Sequence, residues 1–232
     1  MNDLTLLRSP RRPVVFSSAL KRPTKREPKP TGRKRRIGIL GGSFNPAHEG
    51  HLHLSSQALK RLALDQLWWL VSPQNPLKSR DETAAWETRL RAARAVARDP
   101  RIRVSELEAQ FPDSYTVNSL FRIRRRWPDT HFVWLMGADN LATLHRWYRW
   151  RTIMEFVPVA VFDRDPYSYK GVNGVAASAY ADDRWPAERS SELAEAAPPA
   201  WCLLRLRKHP AASRSIRAER GWLGEHSKEK LP

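Results

Sequence analysis

The chain has almost no cysteine, since Cys202 is the single one among its 232 residues. One thiol excludes an internal disulfide framework and a metal site built from several cysteines, and it is typical of a reducing compartment. Long apolar runs are also missing: no stretch approaches the roughly 20 residues that a membrane-spanning helix needs. The first thirty-odd residues contain no apolar signal segment either. We therefore expect a cytoplasmic protein without a membrane partner.

Acidic residues are few beside basic ones, with 24 Asp and Glu against 41 Lys and Arg and a net charge of +17. Residues 1–36 alone hold twelve of the basic residues and only two acidic ones. We expect residues 1–35 to be a Pro-rich, solvated and disordered leader. An arm that binds nucleic acid or an anionic surface is the sharper alternative, and a misplaced start codon would also account for it. The remaining chain is still basic, which suits a polyanionic substrate without demonstrating one.

Short apolar runs of strand length alternate with segments whose apolar residues recur at helical spacing. The strand-like runs lie at residues 37–40, 67–71, 102–104, 132–136, 159–162 and 201–204. The helical segments lie at residues 50–62, 83–98, 117–127, 139–144 and 153–156. Such alternation predicts an α/β fold with a Rossmann-like, doubly wound, mostly parallel sheet in a single domain.

The second half of the chain gives weaker patterns. Residues 163–185 show no period and are predicted to form a long loop, whereas residues 186–197 are predicted to be helical. A closing helix is expected over residues 213–220. We place the domain at residues 36–222 and a C-terminal tail at residues 223–232.

The first predicted strand runs into a turn-rich segment, residues 41–51, which we call the Gly–His segment. Ligands of open α/β sheets bind beyond the carboxyl ends of the strands, where this segment lies. Gly41 and Gly42 have no Cβ, so a phosphate or ribose can approach the backbone, and the N–H groups that open the next helix favour an anion. His48 and His51 are three residues apart and can both point at one phosphate chain.

Two histidines at this spacing allow several interpretations. As metal ligands they fall short of a zinc site, because two histidines with no cysteine beside them leave the usual four ligands incomplete. As surface or helix-capping residues they need no ligand at all. Their position after a strand and a double glycine favours a third role, in which imidazole N–H groups stabilise charge on a transferring phosphoryl centre. We therefore predict that His48 and His51 handle phosphate.

The Gly–His segment closely resembles the G-G-[ST]-F-[DN]-P-x-H-x-G-H signature of bacterial nicotinate-mononucleotide adenylyltransferases, within the nucleotidylyltransferase superfamily and its [HT]-x-G-H motif. Residues 114–120 resemble the S-Y-T-x-x-T-L segment of that family, and residues 137–141 resemble its G-x-D-x-[LF] turn. Trp147 resembles the aromatic residue that stacks on the pyridine ring. The resemblance covers about residues 36–222.

The resemblance implies adenylyl transfer from ATP to nicotinate mononucleotide in NAD biosynthesis, with Mg²⁺ held mainly by the ATP phosphates and no metal ligand from the protein. It makes His48 and His51 the catalytic residues. The residues that it implies for ATP binding are Gly41, Gly42, Ser43, Phe44, His48, His51, Gly137, Asp139, Ser213, Ile216 and Arg217. Those that it implies for the mononucleotide are Lys78, Tyr115, Thr116, Asp139 and Trp147. Lys78, Asp139 and Trp147 also have ordinary interpretations, as a solvated lysine, a helix cap and a packing aromatic.

The C-terminal motif departs from the family pattern I-S-S-T-x-I-R. Ser213, Ile216 and Arg217 match it, but Arg214 replaces the usual threonine and removes its hydroxyl contact, for which Ser215 or Arg214 itself can compensate. Two alternatives to the implied function stay open. One is transfer to nicotinamide mononucleotide or phosphopantetheine, and the other is a basic nucleic-acid-binding protein, supported by the leader and the net charge alone.

Overall fold

The computed structural model describes residues 34–73, 83–163 and 173–206, and its frame is a seven-stranded sheet in which every paired strand runs parallel to its neighbour. The strands are β1 Arg35–Gly42, β2 Gln66–Val71, β3 Ile102–Ser105, β4 Thr130–Gly137, β5 Val159–Asp163, β6 Arg184–Trp185 and β7 Trp201–Arg205. They lie side by side in the order β3-β2-β1-β4-β5-β7-β6.

Helices connect these strands and cover both faces of the sheet. The α-helices are α1 Glu49–Arg61, α2 Trp86–Val96, α3 Thr116–Arg126, α4 Ala138–Thr143, α5 Trp150–Phe156 and α6 Val175–Ala179. Short 3₁₀ helices span Leu107–Gln110, Leu144–Arg146 and Ala187–Glu195. Among the residues that the structure describes, no helix is both long and apolar enough to cross a membrane.

Apolar runs without polar alternation form the central strands because both faces of each strand are buried. In β2, Trp68 and Leu70 belong to the core cluster that includes residues of α3, α4 and α5. Trp69 and Val71 point the other way, into the cluster that includes residues of α1 and α2. The sheet therefore divides the core into two layers, as the predicted doubly wound fold requires.

The strand order reverses direction at β1. From β1 the chain continues outward through β2 and β3, and it then returns to place β4 on the other side of β1. Leu40 of β1 is in register with Leu135 of β4, so the carboxyl ends of these two strands lie side by side. In open parallel sheets a ligand crevice forms at such a switch point. The Gly–His segment and the turn after β4 therefore begin at the same edge of the sheet.

The predicted doubly wound sheet is confirmed, and the prediction of a long loop over residues 163–185 is wrong. The described part of that range contains α6 and β6. These elements are too short to give a periodic pattern: β6 has two residues and pairs only with β7, and α6 buries Ala176 and Ala177. The helix predicted over residues 186–197 is present as a 3₁₀ helix, Ala187–Glu195. Residues 1–33 of the leader and the predicted closing helix lie outside the described residues, and Arg35, which was placed in the leader, is the first residue of β1.

Candidate active site

The two adjacent glycines end strand β1 rather than lying in the loop that follows it. A Cβ built on Gly41 would lie 2.2 Å from Cη2 of Trp134 on β4, so the missing side chain at this position makes room for an indole ring. A Cβ on Gly42 would have only the Phe44 ring nearby, at 3.7 Å. We expected both glycines to leave room for a ligand; at Gly41 the indole of Trp134 takes that space, whereas a Cβ on Gly42 would make only ordinary contact with Phe44.

Phe44 adopts an unusual backbone conformation directly after the strand. Its φ is 44°, in the left-handed region that a bulky residue rarely occupies, and its side chain is buried. The ring stacks on Trp69 with centroids 5.1 Å apart and lies 4.9 Å from the ring of His51. This packing holds the strained residue in place and supports the imidazole of His51 from one side.

His48 and His51 form a reciprocal cap at the start of helix α1. His48 is the N-cap, and its Nδ1 accepts a hydrogen bond from the backbone N–H of Gly50 at 3.1 Å. Nδ1 of His51 accepts from the backbone N–H of His48 at 3.2 Å, and the two ring centroids are 4.0 Å apart. The spacing of three residues is therefore the spacing of a capping box, with imidazoles in place of the usual side chains.

This capping arrangement determines where each imidazole carries its proton. Because each Nδ1 accepts from a backbone N–H, the neutral ring of each histidine has its proton on Nε2. Nε2–H is a hydrogen-bond donor of the kind that binds phosphate oxygens. The helix-capping interpretation is thus confirmed, and it leaves the phosphate-binding role chemically possible, since the two roles use different nitrogens.

A buried arginine that sequence reasoning missed ties this segment to the end of the neighbouring strand. Arg89 of α2 donates from Nη1 to the carbonyl oxygens of Ser43 at 2.6 Å and of Ser72 at 2.7 Å. Its Nη2 donates to the carbonyl of Pro73 at 2.7 Å, and its Nε to that of Ala84 at 2.9 Å. Burial lowers the pKa of the guanidinium. The available signal was a charged residue three positions after Trp86, on the apolar stripe of a predicted helix.

The start of helix α3 carries two of the residues that the resemblance assigns to the mononucleotide. Tyr115 is the N-cap and Thr116 the first helical residue. Asp113 accepts hydrogen bonds from the backbone N–H of Tyr115 at 3.1 Å, from Asn118 at 3.0 Å and from Arg122 at 2.9 Å. Burial alone would raise the pKa of Asp113, but these hydrogen bonds outweigh it and hold the pKa below its usual value. A charged carboxylate therefore fixes the helix start.

The turn after β4 carries the remaining described candidates. Gly137 is the N-cap of α4, so the interpretation of Asp139 as the cap is wrong; Asp139 lies exposed in the first turn. Trp147 is half-buried and packs against the core layer that contains α3. Next to it, the exposed ring of Tyr148 lies 4.8 Å from the ring of Tyr115. The two segments predicted for the mononucleotide therefore meet through an aromatic pair, and Tyr148 was not anticipated.

The structure thus gathers the candidates described so far into two groups, one on each side of the switch point. Lys78, Ser213, Ile216 and Arg217 lie outside the described residues, as does Arg214. Among the side chains that the structure does describe, no group of three or more His, Cys, Asp or Glu is placed to hold a metal ion.

Comparison with known proteins identifies the family. Residues 39–199 match the model of the cytidylyltransferase-like family. A protein of a Ruegeria species named "Probable nicotinate-nucleotide adenylyltransferase" is 48% identical over 188 residues, which cover 81% of this chain and 99% of that protein. A protein of the same name from Parvibaculum lavamentivorans is 46% identical and covers 81% of this chain and 93% of its own length.

A solved structure shares the fold. The nicotinic acid mononucleotide adenylyltransferase of Plasmodium falciparum, complexed with NaAD, superposes with a TM-score of 0.60 at 15% identity. The match covers 79% of this chain and 83% of the other. The chain has a doubly wound sheet and a histidine pair that caps helix α1 at the switch point, and it matches its relatives over nearly their whole length. It therefore belongs to the cytidylyltransferase-like family and, within it, to the nicotinate-nucleotide adenylyltransferases.

Proposed function

We propose that the protein transfers the adenylyl group of ATP to nicotinate mononucleotide, which yields nicotinate adenine dinucleotide and pyrophosphate. The observation that carries this proposal is the pair His48 and His51, whose Nδ1 atoms cap the start of helix α1 beside the switch point of the sheet. The names of the relatives support the same acceptor.

In this reaction an oxygen of the mononucleotide 5′-phosphate attacks the α-phosphorus of ATP. The bond from that phosphorus to the oxygen bridging to the β-phosphate breaks, and pyrophosphate leaves with the electron pair. A phosphate dianion is already a nucleophile, so the protein needs no general base; its task is to align the two phosphates and neutralise charge. We assign Nε2–H of His51 to the α-phosphate and the transition state, and that of His48 to the phosphate chain.

The remaining contacts follow from the same placement. ATP lies along Gly42, Ser43 and Phe44 and the turn at Gly137–Asp139, with Gly41 contributing through its backbone. Ser213, Ile216 and Arg217 act on the nucleotide, with Ser213 and Arg217 at the β- and γ-phosphates.

The mononucleotide lies beside Tyr115, Thr116 and Trp147, with Asp139 orienting it and Lys78 near it. Its nicotinate carboxylate is the anion that the backbone N–H groups at the start of helix α3 would bind.

Nucleotidyltransferases of this family use a divalent metal ion with ATP, and we propose Mg²⁺. The residues described around the Gly–His segment offer imidazoles rather than a carboxylate cluster. The ATP phosphates and water would therefore be its main ligands, as is usual for Mg²⁺ on a nucleotide. The ion would supply charge neutralisation on the phosphates, while the chain's own residues orient them.

Pyrophosphate release tests the acceptor directly. With ATP and Mg²⁺ we expect turnover with nicotinate mononucleotide, and much less with nicotinamide mononucleotide or phosphopantetheine. Preferential turnover of either of the other two acceptors would overturn the assignment.

A His51→Ala variant tests the catalytic role. We expect kcat to fall by about 10²-fold, the typical loss when one charge-stabilising donor is removed, while circular dichroism stays that of the folded protein. His131→Ala is the matched control, because His131 lies at the amino end of β4, away from the carboxyl ends of the strands. A folded His51→Ala enzyme with near-normal turnover would refute the role.

A further inference from the structure

A buried carboxylate lies beneath the start of helix α3 and takes no part in the mechanism given above. Glu108, in the 3₁₀ helix after β3, is 5% exposed. The hydroxyl of Ser119, a fully buried residue of α3, donates to its Oε1 at 2.8 Å. The side chain of Ser72, which directly follows β2, is hydrogen-bonded to the same carboxyl group. Glu108 therefore links α3 to the end of β2.

Ser72 continues this link toward the Gly–His segment. Its carbonyl oxygen accepts from Nη1 of Arg89 at 2.7 Å, and the same Nη1 donates to the carbonyl of Ser43 at 2.6 Å. Arg89 is 1% exposed. The result is a continuous set of hydrogen bonds, which we call the buried polar chain, and its members in order are Ser43, Arg89, Ser72, Glu108 and Ser119.

The two ends of the buried polar chain lie at the two halves of the candidate site. Ser43 follows the glycines that end β1, on the side assigned to ATP. Ser119 lies in the first turn of α3, three residues after Thr116, on the side assigned to the mononucleotide. Packing of the core does not require the charged side chains of Arg89 and Glu108. Burying a guanidinium and a carboxylate costs free energy that burying apolar side chains would not cost. A fully connected polar network of this kind specifies one arrangement of the elements that it joins.

We propose that Arg89 and Glu108 are positioning residues that hold the Gly–His segment at a fixed distance and orientation from the start of helix α3. This inference rests on the proposed function, because it gives the network the task of aligning the two substrates. In-line attack requires the reacting phosphate oxygen and the α-phosphorus to meet within a narrow range of distance and angle. A shift of either segment would leave each substrate bound but misaligned.

Three variants cut the buried polar chain at different points. Glu108→Leu keeps a similar volume but removes both acceptor oxygens, and Ser119→Ala removes the bond to α3. Arg89→Lys keeps a positive charge but loses the guanidinium that donates to four backbone carbonyls. The matched controls are Glu106→Leu and Arg91→Lys, which change exposed neighbours on the same elements or beside them.

We expect each variant to bind a non-hydrolysable ATP analogue, and separately nicotinate mononucleotide, within about threefold of the wild type by calorimetry. We expect kcat to fall by about 10-fold to 10²-fold, as for misplacement at a distance from the reacting atoms. The double variant Arg89→Lys/Ser119→Ala should lose no more than the worse single variant, since both cut one chain. The controls should behave as the wild type.

Folded variants with wild-type kcat would overturn the positioning role. A loss of affinity for both substrates that is as large as the loss of kcat would also overturn it, and so would a fall in kcat of the double variant equal to the two single effects combined. The wild-type enzyme in the same assay tests the proposed function separately. If it transfers adenylyl to nicotinate mononucleotide while the variants are unaffected, only the positioning role fails. If it transfers adenylyl to none of the three acceptors, both proposals fail.

Discussion

Two neighbouring glycines show how differently one residue type can be used. Gly41 and Gly42 both end strand β1, and neither has a positive φ that would by itself require glycine. The Cβ position of Gly41 faces the ring of Trp134, while that of Gly42 meets only Phe44 at ordinary contact distance. Residue 41 therefore has no room for a side chain because the sheet packs tightly there, whereas residue 42, which precedes the candidate phosphate site, could accept a Cβ at ordinary contact distance.

Alanine substitutions should separate these roles in measurements. We expect Gly41→Ala to lower the free energy of unfolding by about 1–3 kcal/mol, the usual cost of overpacking, because its Cβ would displace the indole of Trp134. Gly42→Ala should change stability by less than about 1 kcal/mol but raise the KM for ATP. Urea denaturation and initial rates measure both quantities. Equal destabilisation by the two substitutions would contradict this account.

At the scale of elements, the start of helix α1 performs a structural and a chemical task with the same two side chains. The backbone N–H groups of His48 and Gly50 are satisfied by Nδ1 atoms, which helps the helix to begin where it does. The same hydrogen bonds orient both rings. A loss of activity on replacing His48 therefore has two possible causes, a frayed helix or a missing imidazole.

Asparagine at position 48 distinguishes these causes, because it is among the best N-cap residues but has no imidazole. We expect His48→Asn to be more stable than His48→Ala by about 1 kcal/mol, since it restores a side-chain cap. Both variants should show kcat at least about 10-fold below the wild type. Thermal denaturation and pyrophosphate release check the two expectations. Wild-type turnover by His48→Asn would show that the cap matters and the imidazole does not.

The element scale is also where prediction from sequence was least successful. Strands β2 and β4 were predicted because burial of both faces gives unbroken apolar runs. Strand β6 and helix α6 were missed, since two residues and five residues are too short for any period and form through pairing and packing with distant elements. Arg89 was missed because its partners are backbone carbonyls far from it in sequence, which no side-chain pattern reveals.

For the molecule as a whole, the buried Glu108 links stability to pH. Burial raises the pKa of its carboxyl group from 4.5 to about 7, although hydrogen bonds from Ser119 and Ser72 oppose the shift. Between these pH values the folded protein keeps a proton that the unfolded chain releases. The contribution of this group to folding is therefore most favourable below pH 4.5 and is lost as the pH rises through 7.

We expect Glu108→Gln to remove this pH dependence. Between pH 5 and pH 8 the wild type should lose about 3 kcal/mol of unfolding free energy that the variant does not lose, because glutamine carries no charge to bury. The variant therefore becomes more stable relative to the wild type as the pH rises. Denaturant titrations at the two pH values provide the measurement, with Glu188→Gln, an exposed glutamate, as the control. A pH-independent difference between variant and wild type would contradict the assignment.

The sequence alone determined the doubly wound parallel sheet, the position of the Gly–His segment at a strand end and the family resemblance. These properties depend on local patterns: apolar periodicity, glycines and the spacing of two histidines. Only the tertiary structure decided which of the two glycines has no room for a Cβ, which imidazole nitrogens cap the helix and how Arg89 and Glu108 connect the two halves of the site. Those properties depend on contacts between residues far apart in the chain, and such contacts exist only once the strands have been brought side by side.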